Sequence, residues 1–179
     1  MAAFLRRFMS HQAARYDFFS RLMHWTIAAA MIYVTIVGYS LHFIADAGLY
    51  SFLSVTNMSL ALVLTPLMIA RYIWRFFRPE VPYGKMLKGH EKGMVHLLHE
   101  IFYLLIFVVL ISGFLMLQNG FAVFGIIDFP RPVENLDVNL FFFAVHRVSC
   151  IALTAMIVLH IAAVIKRSYA RQGILKRML

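Results

Sequence analysis

The chain has 179 residues, of which 62% are hydrophobic and 14% charged, and its seventeen Lys and Arg against eight Asp and Glu give a formal charge of +9. A soluble domain carries about 45–50% apolar and about 25% charged residues, and a globule of this size has no interior for such an excess. A soluble fold is excluded, and so is a nucleic-acid reader, because the basic residues cluster at the ends of apolar runs, where anionic headgroups lie.

In chain order, the first 21 residues hold no long apolar core ahead of a small-residue cleavage site, so they do not read as a signal peptide and the first span is expected to insert uncleaved. Four apolar runs follow, at approximately Leu22–Phe43, Phe52–Trp74, Val95–Leu117 and Leu140–Ile165. Each is long enough for a hydrocarbon core of about 30 Å, which takes about 20 helical residues. Continuous runs of this length exclude the short alternating strands of a barrel. The expected fold is an all-α membrane protein, a four-transmembrane-helix bundle forming a single domain over residues 1–179.

Fifteen of the seventeen basic residues lie before the first span (Arg6 to Arg21), between the second and third (Arg71 to Lys92) or after the fourth (Lys166 to Arg177). The positive-inside rule then places both termini and the middle connection in the cytoplasm. That connection, with Pro79 and Pro82, is expected to be irregular, and the outer segment Gln118–Asn139 to be a loop over the outer mouth of the bundle. Cys150, the only cysteine, excludes an internal disulfide and reads as a small core residue.

Polar side chains inside a span are expensive and mark function. The spans hold His24, His96, His99, His146 and His160, with His42 near an outer end, and Glu100 is the one carboxylate among them. Histidines without carboxylates or thiolates suit haem iron, which takes axial imidazoles from its two faces. His146 and His160 are fourteen residues apart, so they share a helix face about 21 Å apart, room for one haem near each side of the membrane. His160, near Lys166, and His24, near Arg21, fall at similar cytoplasmic depth and are expected to form one axial pair, against a reading as histidines that only hydrogen-bond within the bundle. His146 lies near the outer side, where the available partners are His42 and Met58; Asn57 is also there, but an amide is a poor ligand.

His96 and His99 share a face of the third span at the depth of the inner pair, so His99, Glu100 and His96 are quinone-site candidates, against a reading as headgroup-level polar residues. Arg71 and Arg147 are candidates to pair with haem propionates, or anchor the helices at the interface. Small residues such as Gly38, Gly113, Ser112 and Ser149 allow close approach by a porphyrin or a helix. Pro66 should kink the second helix, with Thr65 satisfying freed backbone groups.

RLMHW around His24, VHLLHEIFYLL around His96 and His99, the His146/His160 pair, the stretch FAVFGIIDFP and the ending GILKRML together resemble the bacterial cytochrome b561 family, from about Tyr16 to Leu179. A looser similarity extends to the cytochrome b subunits of nickel–iron hydrogenase and formate dehydrogenase. The resemblance implies a bacterial inner-membrane, multi-pass protein with two b haems. Their ligands come one each from helices one and two and two from helix four. His24 and His160 match the inner pair and His146 the outer ligand, but the position fourteen residues before Arg71, where the remaining histidine belongs, is Asn57. One haem b is therefore expected and a second left open, with Met58 or His42 as substitute ligands.

The activity implied is electron transfer between ubiquinone and a second redox partner. Superoxide:ubiquinone oxidoreductase is an alternative, as is a haem-bearing or structural anchor subunit of a larger respiratory or dehydrogenase complex. The partners implied are membrane lipid, ubiquinone, and other respiratory subunits or a second copy of the chain.

Overall fold

The structure, a computed structural model, describes residues 15–78, 81, 89–169 and 175–179. The irregular connection expected around Pro79 and Pro82 and the basic stretch before Arg15 lie outside the described residues.

Helix α1, Phe18–Ser40, begins where the Asp17 carboxylate accepts hydrogen bonds from the backbone N–H of Ser20 at 2.9 Å and from its hydroxyl at 2.6 Å. The cap satisfies one of the amides that every helix start leaves unpaired. Asp46 caps α2, Ala47–Phe77, through the Leu49 N–H at 2.7 Å. Helices α3, Gly89–Leu115, and α4, Leu136–Tyr169, complete a set of four long and apolar enough to cross a membrane. All four helices start ahead of the apolar stretches that predict them, while α1 and α3 end two or three residues short. α2 starts at its Asp46 cap instead of at Phe52, and α3 takes in Gly89 and Gly93, which the sequence reading assigns to a loop. Caps and backbone hydrogen bonds set a helix end, not the edge of the hydrocarbon.

Pro66 does not break α2. The Thr65 hydroxyl donates to the Ala61 carbonyl at 2.9 Å, one residue from the Leu62 carbonyl that the missing proline N–H leaves free, so Thr65 does not make the repair expected of it.

The segment between α3 and α4 departs most from expectation. It holds a two-stranded hairpin, β1 Phe121–Val123 and β2 Ile127–Phe129, with Phe121 opposite Phe129. Its turn puts Phe124 at φ 50° and Gly125 at φ 74°. Glycine adopts this region freely, whereas a bulky residue is strained there. The strain is held by α2: Ser59, fully buried, accepts the Phe124 N–H at 2.8 Å.

The most extensive packing joins α3 to α4 and α1 to α2, and α2 touches α3. The shared core comprises Met23, Ile27 and Met31 of α1, Leu64 and Met68 of α2, Ile106, Val109 and Leu110 of α3 and Leu153 of α4. Only 11–17% of the most apolar window of each helix is buried within the chain. The remaining apolar surface suits lipid tails, which leave no hydrophobic drive between helices, so close packing and hydrogen bonds must join them. Asn139 of α4 is one such joint, donating from Nδ2 to the Leu115 carbonyl at 2.8 Å and so closing the end of α3.

At the opposite, basic end, the turn Leu175–Arg177 returns to α1. The Tyr16 N–H donates to the Arg177 carbonyl at 3.1 Å and the Trp25 indole N–H to that of Met178 at 2.9 Å. Arg177 is buried, reaches the Val81 carbonyl at 2.8 Å and lies over the Tyr16 ring. The segment beyond α4 thereby clasps the start of α1.

Burial of Asp17 opposes its ionisation, but the Ser20 hydrogen bonds outweigh it and hold the carboxyl below its ordinary value of 3.8. The cap therefore contributes stability above that value and loses it as pH falls through the lower folded one. Asp17→Ala is expected to lose about 1 kcal/mol, read as a lower unfolding midpoint in detergent. Its gap from wild type should narrow in acid below 3.8; a constant gap would remove the cap from the account.

Candidate functional site

Polar side chains from all four helices meet near the basic end. His24, about two turns into α1, is half-buried. Nη2 of Arg71, from the last third of α2, lies 3.1 Å from His24 Nδ1, and Nη1 of the same guanidinium donates to the Ser20 carbonyl at 3.4 Å. An arginine can only donate, so His24 Nδ1 is the acceptor and its proton sits on Nε2. His160 of α4 packs edge-to-face on Phe102, with ring centroids 5.7 Å apart, and on His99, 6.2 Å apart, both from α3. His99 bonds the Val95 carbonyl through Nδ1 at 2.7 Å, which makes Nδ1 the donor and leaves Nε2 an acceptor. His24 lies within electrostatic reach of Arg71, His160 and His99. Residues 24, 71, 99 and 160 thus form one cluster.

The other quinone candidates stand differently. Glu100 is ion-paired with Arg75, whose guanidinium lies over the rings of Tyr72, Phe76 and Tyr103 at 5.4–5.6 Å. His96 is exposed. The sequence reading passed over Arg75 and Phe102. A basic residue on the α2 face turned toward α3, and an aromatic three residues after His99, were the available signals.

A second level lies fourteen residues along the same helices, toward the hairpin end. His24 is matched there by Gly38, Arg71 by Asn57 and His160 by His146. The Asn57 amide faces Gly38, where a Cβ would sit 3.9 Å from its Nδ2, and its Oδ1 is buried without a hydrogen bond. His146 is held by α3: Nδ1 lies 3.0 Å from the Val109 carbonyl and 3.3 Å from Ser112 Oγ, and Nε2 lies 3.4 Å from Cys150 Sγ. Gly113 makes this possible, since a Cβ there would stand 3.1 Å from Cε1 of the ring. Met58 is half-buried in α2, while His42, in the 3-10 turn Leu41–Phe43, and Arg147 are exposed. No observed contact brings these three to His146.

Among the described residues no three His, Cys, Asp or Glu side chains converge as a non-haem metal centre requires. Haem asks less of a protein, since the porphyrin supplies four equatorial nitrogens and the chain only the axial ligands. The basic-end level has that donor set, two imidazoles on different helices with a guanidinium beside one of them. The hairpin-end level does not: its one imidazole has Nε2 against Cys150 Sγ, and the position on α2 fourteen residues before Arg71 is an amide.

A side chain at Gly113 would press on the His146 ring, which must give by a few tenths of an ångström against its contact with Val109. Gly113→Val is expected to lose about 1–3 kcal/mol, typical of overpacking, seen as a lower unfolding midpoint in detergent. An unchanged midpoint would mean the ring is free to move.

Residues 15–179 match the family model of the prokaryotic cytochrome b561, so the chain belongs to that family of membrane b-type cytochromes and is a multi-pass electron-transfer protein. No curated protein matches it.

Proposed function

We propose that this cytochrome carries electrons between ubiquinone and a second redox partner through a haem b ligated by His24 and His160. The observation that carries the reading is the convergence of His24, Arg71, His99 and His160, from four helices, at one level of the bundle. By the positive-inside rule this level lies toward the cytoplasm. Haem iron, when bound, supplies a one-electron couple, and the chain supplies ligation, burial and proton handling.

An axial imidazole binds iron through a nitrogen that carries no proton. With Arg71 on Nδ1, His24 keeps its proton on Nε2, so ligation through Nε2 requires Arg71 to release Nδ1. A haem carboxylate would give the Arg71 guanidinium a stronger, charge-assisted partner than His24 Nδ1. Arg71 thus holds His24 in place and would be the residue to bind a haem carboxylate. His99 lies beside His160 with Nδ1–H committed to Val95. Its Nε2 is free to accept the hydroxyl proton of a quinol or return one to a quinone. Glu100 does not share that proton work, because Arg75 already neutralises it.

His24→Ala and His160→Ala are each expected to abolish the Soret band of the purified protein, and retention in both would refute the ligation. Arg71→Gln should weaken haem retention by about 10–100-fold, the loss of one hydrogen bond to a charged group, measured by haem transfer to a scavenging apoprotein. His99→Ala should leave the Soret band intact and slow ubiquinol-driven haem reduction in proteoliposomes by about 100-fold. An unchanged rate would separate His99 from quinone.

A further inference from the structure

We infer that this chain holds one haem and that its hairpin-end half is closed by protein, with His146 serving as a structural bolt between α4 and α3 instead of an axial ligand. The inference rests on the ligation proposed for His24 and His160.

The two levels are built on the same fourteen-residue step of the same three helices, so residue identity and side-chain engagement alone separate them. A carbonyl on Nδ1, as Val109 provides for His146, is also how ligand histidines are oriented. The rest of the environment removes His146 from that role. Its Nε2, the nitrogen a ligand needs free, stands against Cys150 Sγ at 3.4 Å. Its Cε1 edge abuts Gly113, so the ring fills the gap that this glycine opens in α3. The position at this height on α2 is Asn57, whose amide lies against Gly38 of α1 and whose oxygen is a poor donor to haem iron. Neither substitute ligand is brought into contact with His146: His42 lies exposed beyond the end of α1, and Met58 is turned about 100° from Asn57 around α2.

Two further contacts knit this half together. Tyr39 of α1, next to Gly38, and Thr154 of α4, between His146 and His160 along the helix, pair through their hydroxyls at 3.4 Å. The hairpin is seated on α2 by the Phe124–Ser59 bond, two residues from Asn57. A porphyrin at this level would have to displace His146 from α3 and find a ligand that α2 does not supply. Electrons therefore enter and leave by the single basic-end haem, with no second haem about 21 Å away across the bilayer to relay them.

The test is haem stoichiometry and redox titration of the full chain purified in detergent, on wild type, His24→Ala, His146→Ala and His146→Gln. The last keeps an amide donor for the Val109 carbonyl should alanine destabilise the fold. One haem per polypeptide, a single one-electron Nernst transition, and an unchanged Soret band and midpoint in the folded His146 variant are expected, with the haem lost in His24→Ala. Two haems in wild type, one of them lost with His146, would overturn the inference and leave the basic-end ligation standing. One haem lost with His146 and kept without His24 would overturn both.

Discussion

A polar side chain within hydrocarbon must find a partner, and the placement of His24, His99 and His146 in this bundle follows from that requirement. Leaving such a group unpaired costs several kcal/mol, far more than any single packing contact returns. At the basic end Arg71 binds His24, and His99 turns its own proton inward to Val95. At the hairpin end the Val109 carbonyl and Ser112 hydroxyl take His146. Asn57 Oδ1 is an exception, a buried acceptor without a bond, and Trp74 Nε1 is another.

The two levels show how one helical framework yields different chemistry. A step of fourteen residues brings a helix nearly back to the same face, so α1, α2 and α4 each present a residue at both heights. At one height these are His24, Arg71 and His160, which can ligate iron and bind a carboxylate. At the other they are Gly38, Asn57 and His146, whose sizes and donors suit helix packing. The backbone treats both alike; the side chains do not.

Stability comes from specific joints, because lipid removes the hydrophobic drive between helices. Gly113 lets His146 enter α3, Asn139 closes the end of α3 from α4, and Ser59 fixes the strained turn of the hairpin to α2. The clasp of Leu175–Leu179 on Tyr16 and Trp25 does the same for the first and last segments of the basic end, beside His24.

The sequence by itself determined the four spans, because a run of about 20 apolar residues has no other way to satisfy its backbone in a bilayer. It also determined the two histidine levels, since helical rise converts residue spacing directly into depth, and the basic end, from the placement of Lys and Arg. It misjudged what depends on local caps and turns: α3 begins at Gly89, and the outer segment holds a hairpin whose turn needs Ser59 from another helix. Only the tertiary structure decided which atoms face one another. The bonds of Arg71 to His24, Arg75 to Glu100 and His146 to Val109 join residues 47, 25 and 37 positions apart. Helical periodicity fixes the height and face of a residue, but rotamer and partner are chosen only when the helices meet.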